Sequence, residues 1–446
     1  MATTSARQDS DGWSSLPGDL VICVCELLSI PGRICFRAVC RSWRAAAAGV
    51  EGSLPGPMPP PWVVSPRDRG YTDSFTLLSV PTMRAFRWSP PGGARLRLAG
   101  SSGGWLAGPS FAARGGGRRL SLVNPLTDAR VDVVPAVRLG RVDKDDALGC
   151  SVHKVVFSPS PSAQDCAVAV VTEAGTSVAF TRARSDGWCP WVHLPDVNLG
   201  DDHQVDVAYH GGKFYCMTVC GTVWVVDTAA PFLWPVLLAH LRPPVPGLVR
   251  RRPHHIAVTG DGALHVVWSR SHSDEEDSED MIVRRCEPSH SHSAAQDRLR
   301  WSPTACLCYH GEDIEPGHRA QRLAPWAPAR HRAEGLATWA PATCLRGHAF
   351  LIGNGNQTLP VDGGGGEGAW LRPDSVYLTS IPLGRLLSVS REGRLGPRGV
   401  WMFDVATGDV NRPPPPATLP HNFYGTRSLQ SQFDWAKSVW LVPSMR

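Results

Sequence analysis

The feature that most constrains the fold is the alternation of short apolar runs with turn residues after Trp62. The runs are rich in Val and aromatic residues, and Gly, Pro, Asp and Ser separate them. Examples are residues 154–157, 213–219 and 263–268. Runs of this length between turn residues predict β-strands, and 44 glycines with 40 prolines leave little room for long helices. We therefore expect a large, mainly β domain.

A turn that contains Gly and leads into an apolar strand recurs along this region. It is clearest at residues 102–106, 210–215, 260–264 and 346–350. Residues 124–128 predict a further turn, between a strand that ends at Val123 and one that starts near Arg130. Many of the steps are roughly 50 residues, which is the period of kelch-like propeller blades. The 17 Trp residues fit the same interpretation, because buried indoles often anchor such blades. We predict a C-terminal β-propeller with kelch-like blades over residues 62–446; a pair of β-sandwiches or an irregular α+β domain is the alternative.

An insertion is predicted within this domain near residues 271–295. Residues 271–280 form an acidic run, and a Ser/His tract follows at residues 289–293. Both compositions are typical of solvated, disordered loops.

The first part of the chain has a different character. Residues 1–12 are polar and predict a disordered tail, whereas residues 13–50 show helical spacing. Leu20, Val24, Leu27 and Leu28 form one apolar stripe, and Pro31-Gly32 predicts the end of that first helix. A second helical stretch is expected from Ile34 through the alanine run. Residues 51–61 are rich in Pro and Gly and predict a semi-rigid linker.

Within residues 13–50, Leu16-Pro17-Gly18-Asp19-Leu20 is followed by Phe36-Arg37-Ala38-Val39-Cys40-Arg41-Ser42-Trp43-Arg44. This pattern resembles the F-box, a small all-α unit that docks a Skp-type adaptor and, through it, a cullin. A helical unit this small buries little surface alone, so its apolar face needs a partner. The resemblance assigns the adaptor contact to seven residues: Leu16, Pro17, Leu20, Ile34, Val39, Cys40 and Trp43. The alternative is that they pack against this chain's own β domain.

The segment Pro31-Gly32-Arg33 departs from the F-box pattern. Many F-boxes have an acidic helix cap there, and a missing cap costs about 1 kcal/mol. We expect this change to weaken adaptor binding without abolishing it.

The downstream region resembles plant F-box proteins whose C-terminal part is a KIB-type β-propeller. The similar stretches are residues 100–106, 122–127, 206–215, 350–354, 374–379 and 440–444. The resemblance implies a non-catalytic substrate-recognition subunit of an SCF-type E3 ubiquitin ligase, in which the propeller binds a protein target for ubiquitination. It does not name the target, because fold and function separate at this level.

Composition argues against several other classes of function. A net charge of +5 over 446 residues is too weak to indicate nucleic-acid binding. No apolar run predicts a membrane span or a secretory signal, so we expect an intracellular protein of the nucleus, the cytoplasm or both. Cys306-x-Cys308 with His310 lacks a second aligned pair, and we expect no metal, cofactor or catalytic residue.

The competing hypothesis is a propeller enzyme or small-molecule-binding protein with a non-functional F-box-like segment. It requires a cluster of titratable groups with perturbed pKa values in the central channel. The candidates for such a cluster are His153, His203, Asp206, His254 and His255.

Overall fold

The architecture was read from a computed structural model. It describes residues 16–28, 30–50, 61–68, 70–80, 84–111, 119–133, 152–172, 178–193, 204–218, 222–240, 252–269, 281–287, 338–353, 356–361, 371–379, 400–408, 410–411 and 438–444. The predicted tail at residues 1–12 and the acidic run at residues 271–280 lie outside this part of the chain.

Three helices form the first part of the described chain: α1 (Gly18–Leu27), α2 (Ile30–Val39) and α3 (Arg41–Val50). The first helix ends at Leu27, before Pro31-Gly32 as the sequence predicted, but these two residues do not form a break between helices. Both residues lie in the first turn of α2, where a proline is tolerated because the missing N–H has no helical partner in any case. The expected second helical stretch is also two helices, which separate at Cys40.

The described strands form six sheets, which are the blades of a β-propeller. Blades 1 to 3 contain β1 (Trp62–Pro66), β2 (Phe75–Ser79), β3 (Arg84–Trp88) and the last strand β27 (Val439–Leu441); β4 (Arg95–Leu96), β5 (Gly100–Ser102), β6 (Trp105–Phe111), β7 (Arg119–Val123) and β8 (Arg130–Val133); β9 (Val152–Phe157), β10 (Cys166–Thr172), β11 (Val178–Arg184), β12 (Gly187–Trp188) and β13 (Val192–His193). Blades 4 to 6 contain β14 (Gln204–His210), β15 (Lys213–Thr218), β16 (Thr222–Asp227) and β17 (Pro235–His240); β18 (Arg252–Val258), β19 (Leu264–Ser269), β20 (Met281–Glu287) and β21 (Thr338–Pro341); β22 (His348–Ile352), β23 (Gln357–Pro360), β24 (Ser375–Leu378), β25 (Trp401–Asp404) and β26 (Val410–Asn411). The predicted mainly β fold with a propeller is confirmed.

The hairpin turns follow the sequence signals. Gly211 and Gly212 both have positive φ angles, 54° and 77°, and join β14 to β15 in a two-residue turn that favours glycine. Between β7 and β8 the side-chain oxygen of Asn124 accepts hydrogen bonds from the backbone N–H groups of Leu126, at 2.9 Å, and Thr127. Both turns are confirmed where the sequence predicted them.

The core lies between the blades. Six clusters of buried apolar side chains each draw from two neighbouring blades, so every blade packs on both faces. Alternate residues of one strand serve different clusters; Val168 faces blade 2 whereas Ala169 faces blade 4. This explains why strands such as β10 read as continuous apolar runs.

The last described strand closes the ring. β27 pairs with β1 in antiparallel register, so blade 1 combines both ends of the propeller. The indole N–H of the fully buried Trp440 donates to the Ile352 carbonyl of blade 6 at 3.1 Å, and the Trp440 carbonyl accepts from Gln357 at 2.8 Å. Closure therefore rests on residues at the C-terminal end of the propeller.

The predicted insertion near residues 271–295 contains a strand of blade 5, since β20 lies between the acidic run and the Ser/His tract. Among the helices described, none is long and apolar enough to cross a membrane.

Candidate functional site

An apolar face on the helical unit is open to solvent. Leu20, Val24 and Leu27 on α1 are 53%, 40% and 88% exposed, and Val39 at the end of α2 is 56% exposed. Because Leu20, Val24 and Leu27 are spaced four and three residues apart, they form one stripe along α1. We call these four residues the apolar face of the helical unit.

The same unit has a small core of its own. Val21, Cys25 and Phe36 are buried, and Leu16, Leu28, Trp43 and Ala46 pack partly against them. The rings of Phe36 and Trp43 lie 4.4 Å apart between centroids. The helices therefore hold together through one side of α1 and leave the adjacent side uncovered.

Arg33 stabilises the connection between α1 and α2. Its side chain is buried, and its Nε donates to the carbonyl of Leu28 at 3.0 Å. That carbonyl follows the end of α1, where backbone acceptors lack helical partners. Arg33 belongs to the segment that departs from the F-box pattern. It satisfies a backbone carbonyl after the end of α1, whereas the usual acidic residue would cap the start of α2.

Cys40 lies between α2 and α3 beside the first turn of α3. Its Sγ is 3.0 Å from the hydroxyl of Ser42, and this hydrogen bond, together with the backbone N–H of Trp43, lowers the pKa of the thiol. Hydrogen bonds to a thiolate at a helix start favour the charged form. The side chain of Cys40 therefore makes a local hydrogen bond with the first turn of α3.

The structure divides the seven predicted contact residues. Leu20, Val39 and Pro17 are exposed, whereas Leu16, Cys40 and Trp43 are half-buried, and Leu16 and Trp43 pack inside the unit. The side chain of Ile34 lies outside the described part of the chain. Val24 and Leu27 are exposed on the same stripe as Leu20 but were not among the predicted contact residues, although the helical spacing of the stripe already included them.

A second cluster of polar groups lies among strands of blades 3 to 6. The carboxylate of Asp206, on β14, forms a buried ion pair with Lys154 of β9. It also accepts hydrogen bonds from the backbone N–H groups of Val207 and Ile256, both at 2.9 Å, and from the side chain of Asn356 at 2.6 Å. His255 Nδ1 lies 3.6 Å from Oδ2 of the same carboxylate. We call these groups the Asp206 cluster.

The charge of Asp206 is stabilised in this environment. Burial alone would raise the pKa of the carboxyl, but the charge of Lys154 and the interaction with His255 outweigh it and lower the pKa to about 2. With both oxygens already accepting several hydrogen bonds, the carboxylate joins four blades. A general base would instead need an oxygen open to substrate.

The competing hypothesis named five channel candidates, and the structure brings two of them, Asp206 and His255, together. His153 is exposed on β9, and His203 and the side chain of His254 lie outside the described residues. Lys154 was missed. Within the described residues no group of three or more His, Cys, Asp or Glu side chains could hold a metal ion, and Cys306, Cys308 and His310 fall outside them.

Solved structures give low similarity. A luciferin-regenerating enzyme is 11% identical, with 50% of this chain and 76% of that chain covered and a TM-score of 0.30. The beta-propeller domain of Cps50 (Swd1) from Myceliophteria thermophila is 12% identical, with 52% and 63% covered and a TM-score of 0.28. The WD40 domain of SCAP from fission yeast is 12% identical, with 48% and 51% covered and a TM-score of 0.25. These similarities are too low to support an inference, and no curated protein matches the chain.

Two family models match the sequence. The F-box domain matches residues 13–51, which include α1, α2 and α3. The KIB1-4 beta-propeller matches residues 77–310, which is just over half of the chain. The chain therefore belongs to the KIB1-4 beta-propeller family and carries an F-box domain ahead of its propeller.

Proposed function

We propose that this protein is a substrate-recognition subunit of an SCF-type E3 ubiquitin ligase. Its F-box docks a Skp-type adaptor and, through it, a cullin, and its propeller binds a protein target. The protein itself performs no chemistry, since holding the target beside a ubiquitin-conjugating enzyme raises the effective concentration of the reactants. We further propose that it acts inside the cell, in the nucleus, the cytoplasm or both. Its motifs resemble those of plant F-box proteins, and we propose that it is of that type, with kelch-like blades.

The observation that carries this proposal is the apolar face of the helical unit. Three large apolar side chains are exposed in one stripe along α1, and Val39 is exposed at the end of α2, on a segment that matches the F-box. Full burial of an exposed Leu or Val contributes about 1.5–3 kcal/mol, and each of these side chains would gain the part that its exposed fraction represents, before the costs of association. We propose that Leu20, Val24, Leu27 and Val39 form the centre of the adaptor contact.

The other predicted contact residues have a supporting role in this proposal. Trp43 stacks on Phe36, so Trp43→Ala would disturb the folding of the unit as well as its docking. Leu16, Pro17, Ile34 and Cys40 remain proposed contacts around the apolar face. Substitutions at exposed positions are therefore the sharper test.

The test is co-purification of the full chain with a Skp-type adaptor. Leu27→Asp and Val24→Asp should each reduce recovery of the adaptor at least tenfold, because a carboxylate would be buried without a partner. Ala45→Asp is the matched control, since it places the same charge at an exposed position of α3 outside the apolar face. Full recovery of the adaptor with both α1 variants would refute the proposal.

The enzyme alternative depends on the Asp206 cluster. Its carboxylate is already engaged by Lys154, Asn356 and two backbone N–H groups. No observation favours that alternative over a receptor.

A further inference from the structure

A second exposed apolar surface lies on blade 4. Phe232, Trp234, Val236 and Leu238 are 73%, 50%, 41% and 37% exposed. Together with residues of α1 and α2, they make up the exposed large hydrophobic side chains among the described residues. We call these four residues the blade 4 ridge.

Exposed and buried residues alternate from Phe232 to Val236; Phe232 and Trp234 precede β17, and Leu238 lies where the register between β16 and β17 shifts. Leu233 and Pro235 are buried, and Leu233 belongs to the core between blades 3 and 4. On the ridge side, Val236 lies opposite Val225 of β16, which lies opposite Tyr215 of β15. Tyr215 packs on the core shared with blade 5. The ridge therefore continues a face whose inner part is covered by blade 5 and whose outer part is open.

The backbone of β17 is also available. Among the described strands β17 pairs only with β16, so it is the outer edge of its blade. An edge strand leaves alternate N–H and C=O groups without a strand partner, and proteins usually protect such edges with charges, prolines or bulges, or keep them short.

The outer strand of blade 5, β21, is uncharged but has only four residues and ends at Pro341. The other blades have charges or shorter edges. The outer strand of blade 1 carries Arg84 and Arg87, and that of blade 2 carries Arg130 and Asp132. The outer strands of blades 3 and 6 are only two residues long. β17 has six residues, Pro235–His240, and none of them is Lys, Arg, Asp or Glu. Its protective features are Pro235 at the first position and the register shift between Leu237 and Ala239. It is thus a long, uncharged edge beside an apolar ridge.

The ridge is held in place by blade 3. The buried side chain of Arg182 donates to the carbonyls of Thr228 and Pro231, the latter at 2.6 Å. Leu233 anchors the same segment in the core. A surface that is already ordered loses little conformational entropy when a ligand binds.

We propose that the blade 4 ridge and the edge of β17 bind an extended segment of a target protein, which adds to the blade as a further strand. This inference rests on the proposed function, because it assigns the target surface of the receptor. Backbone hydrogen bonds to β17 would supply the pairing, and apolar side chains at alternate positions would cover the ridge. Arg184 is exposed beside Pro231, with its guanidinium 3.4 Å from that carbonyl, and fits an acidic residue at the end of the segment near Phe232.

The test uses the full chain in complex with its Skp-type adaptor and a phage-displayed library of random decapeptides. We expect enriched peptides with apolar residues at alternate positions and an acidic residue at one end. Val236→Lys should weaken their binding at least about tenfold, the effect of losing a central contact. Phe232→Ser changes the most exposed residue of the ridge, outside any strand, and should weaken binding without disturbing the fold. Ala85→Lys, an equivalent charge on the outer strand of blade 1, is the control and should leave binding unchanged.

Three results would overturn the proposal: no peptide is enriched, the enriched peptides lack alternation, or they bind both ridge variants as well as the parent chain. Light scattering distinguishes a second copy of the chain as the occupant. A dimer that Val236→Lys dissociates would assign the ridge to self-association and would also overturn it. Adaptor recovery is measured on the same variants. If even the parent chain recovers no adaptor, the proposed function fails. Peptide selection on the full chain without the adaptor then still tests the ridge.

Discussion

Replacing Asp206 by Asn should destabilise the propeller strongly. The substitution keeps the size of the side chain but removes its charge, which leaves Lys154 buried and only 4% exposed without a counter-ion. The lowered pKa of Asp206, about 2 against 3.8, corresponds to about 2 kcal/mol in favour of the charged form. Removing one partner of a buried pair typically costs about 3–5 kcal/mol, because the remaining charge is uncompensated. We expect the free energy of unfolding to fall within that range.

The assay is urea denaturation followed by tryptophan fluorescence. Asp186→Asn is the control for removing a carboxylate, since Asp186 is exposed in the turn between β11 and β12, where surface substitutions usually change stability by no more than about 0.5 kcal/mol. The double variant Asp206→Asn/Lys154→Met removes both charges and should recover part of the lost stability.

Two results would refute this reasoning. One is a loss of less than about 1 kcal/mol for Asp206→Asn, similar to the surface control. The other is a double variant that is less stable than Asp206→Asn alone, because the lysine charge would then not be the source of the cost.

Three further predictions concern the propeller. Burial lowers the pKa of His265 to about 4, below its ordinary 6.5. The free energy of unfolding should therefore fall by about 3 kcal/mol as pH falls from 6.5 towards 4. In pH-dependent unfolding, His265→Gln should lose less stability over the same range, and an equal loss would contradict the assignment. Trp440→Ala should cost about 3–5 kcal/mol in denaturant unfolding because it removes a fully buried indole from the closing strand, and an unchanged midpoint would exclude this role. Gly100→Ala should lower the free energy of unfolding by about 1–3 kcal/mol or more, since the new Cβ would lie 1.9 Å from the carbonyl oxygen of Val155. Wild-type stability would show that β5 and β9 can separate there.

Local signals in the sequence predicted the local parts of the fold. The turn at Gly211-Gly212 and the turn after Asn124 depend on residues that specify backbone geometry by themselves. Helix boundaries were less accessible. Pro31-Gly32 is a helix breaker in the interior of a helix but is compatible with a first turn, and sequence alone does not distinguish the two positions.

The remaining features depend on contacts between distant residues. Asp206 and Lys154 lie on separate blades, so no spacing rule links them, and their pairing required the ring to be assembled first. The parallel pairing of β22 with β24 and the closure of blade 1 by β27 have the same long-range character. On the helical unit the spacing revealed the apolar stripe but not which side the unit's own core would use. Val24 was therefore not singled out for its exposure, and the partial packing of Trp43 inside the unit was not foreseen.

The most direct test of the central claim is hydrogen–deuterium exchange of the full chain with and without a purified Skp-type adaptor. If the adaptor covers the apolar face, amide exchange over Gly18–Leu27 and at the end of α2 should slow on its addition, while exchange in the propeller strands stays the same. Leu27→Asp should abolish this protection. Unchanged exchange over α1 at saturating adaptor would contradict the account.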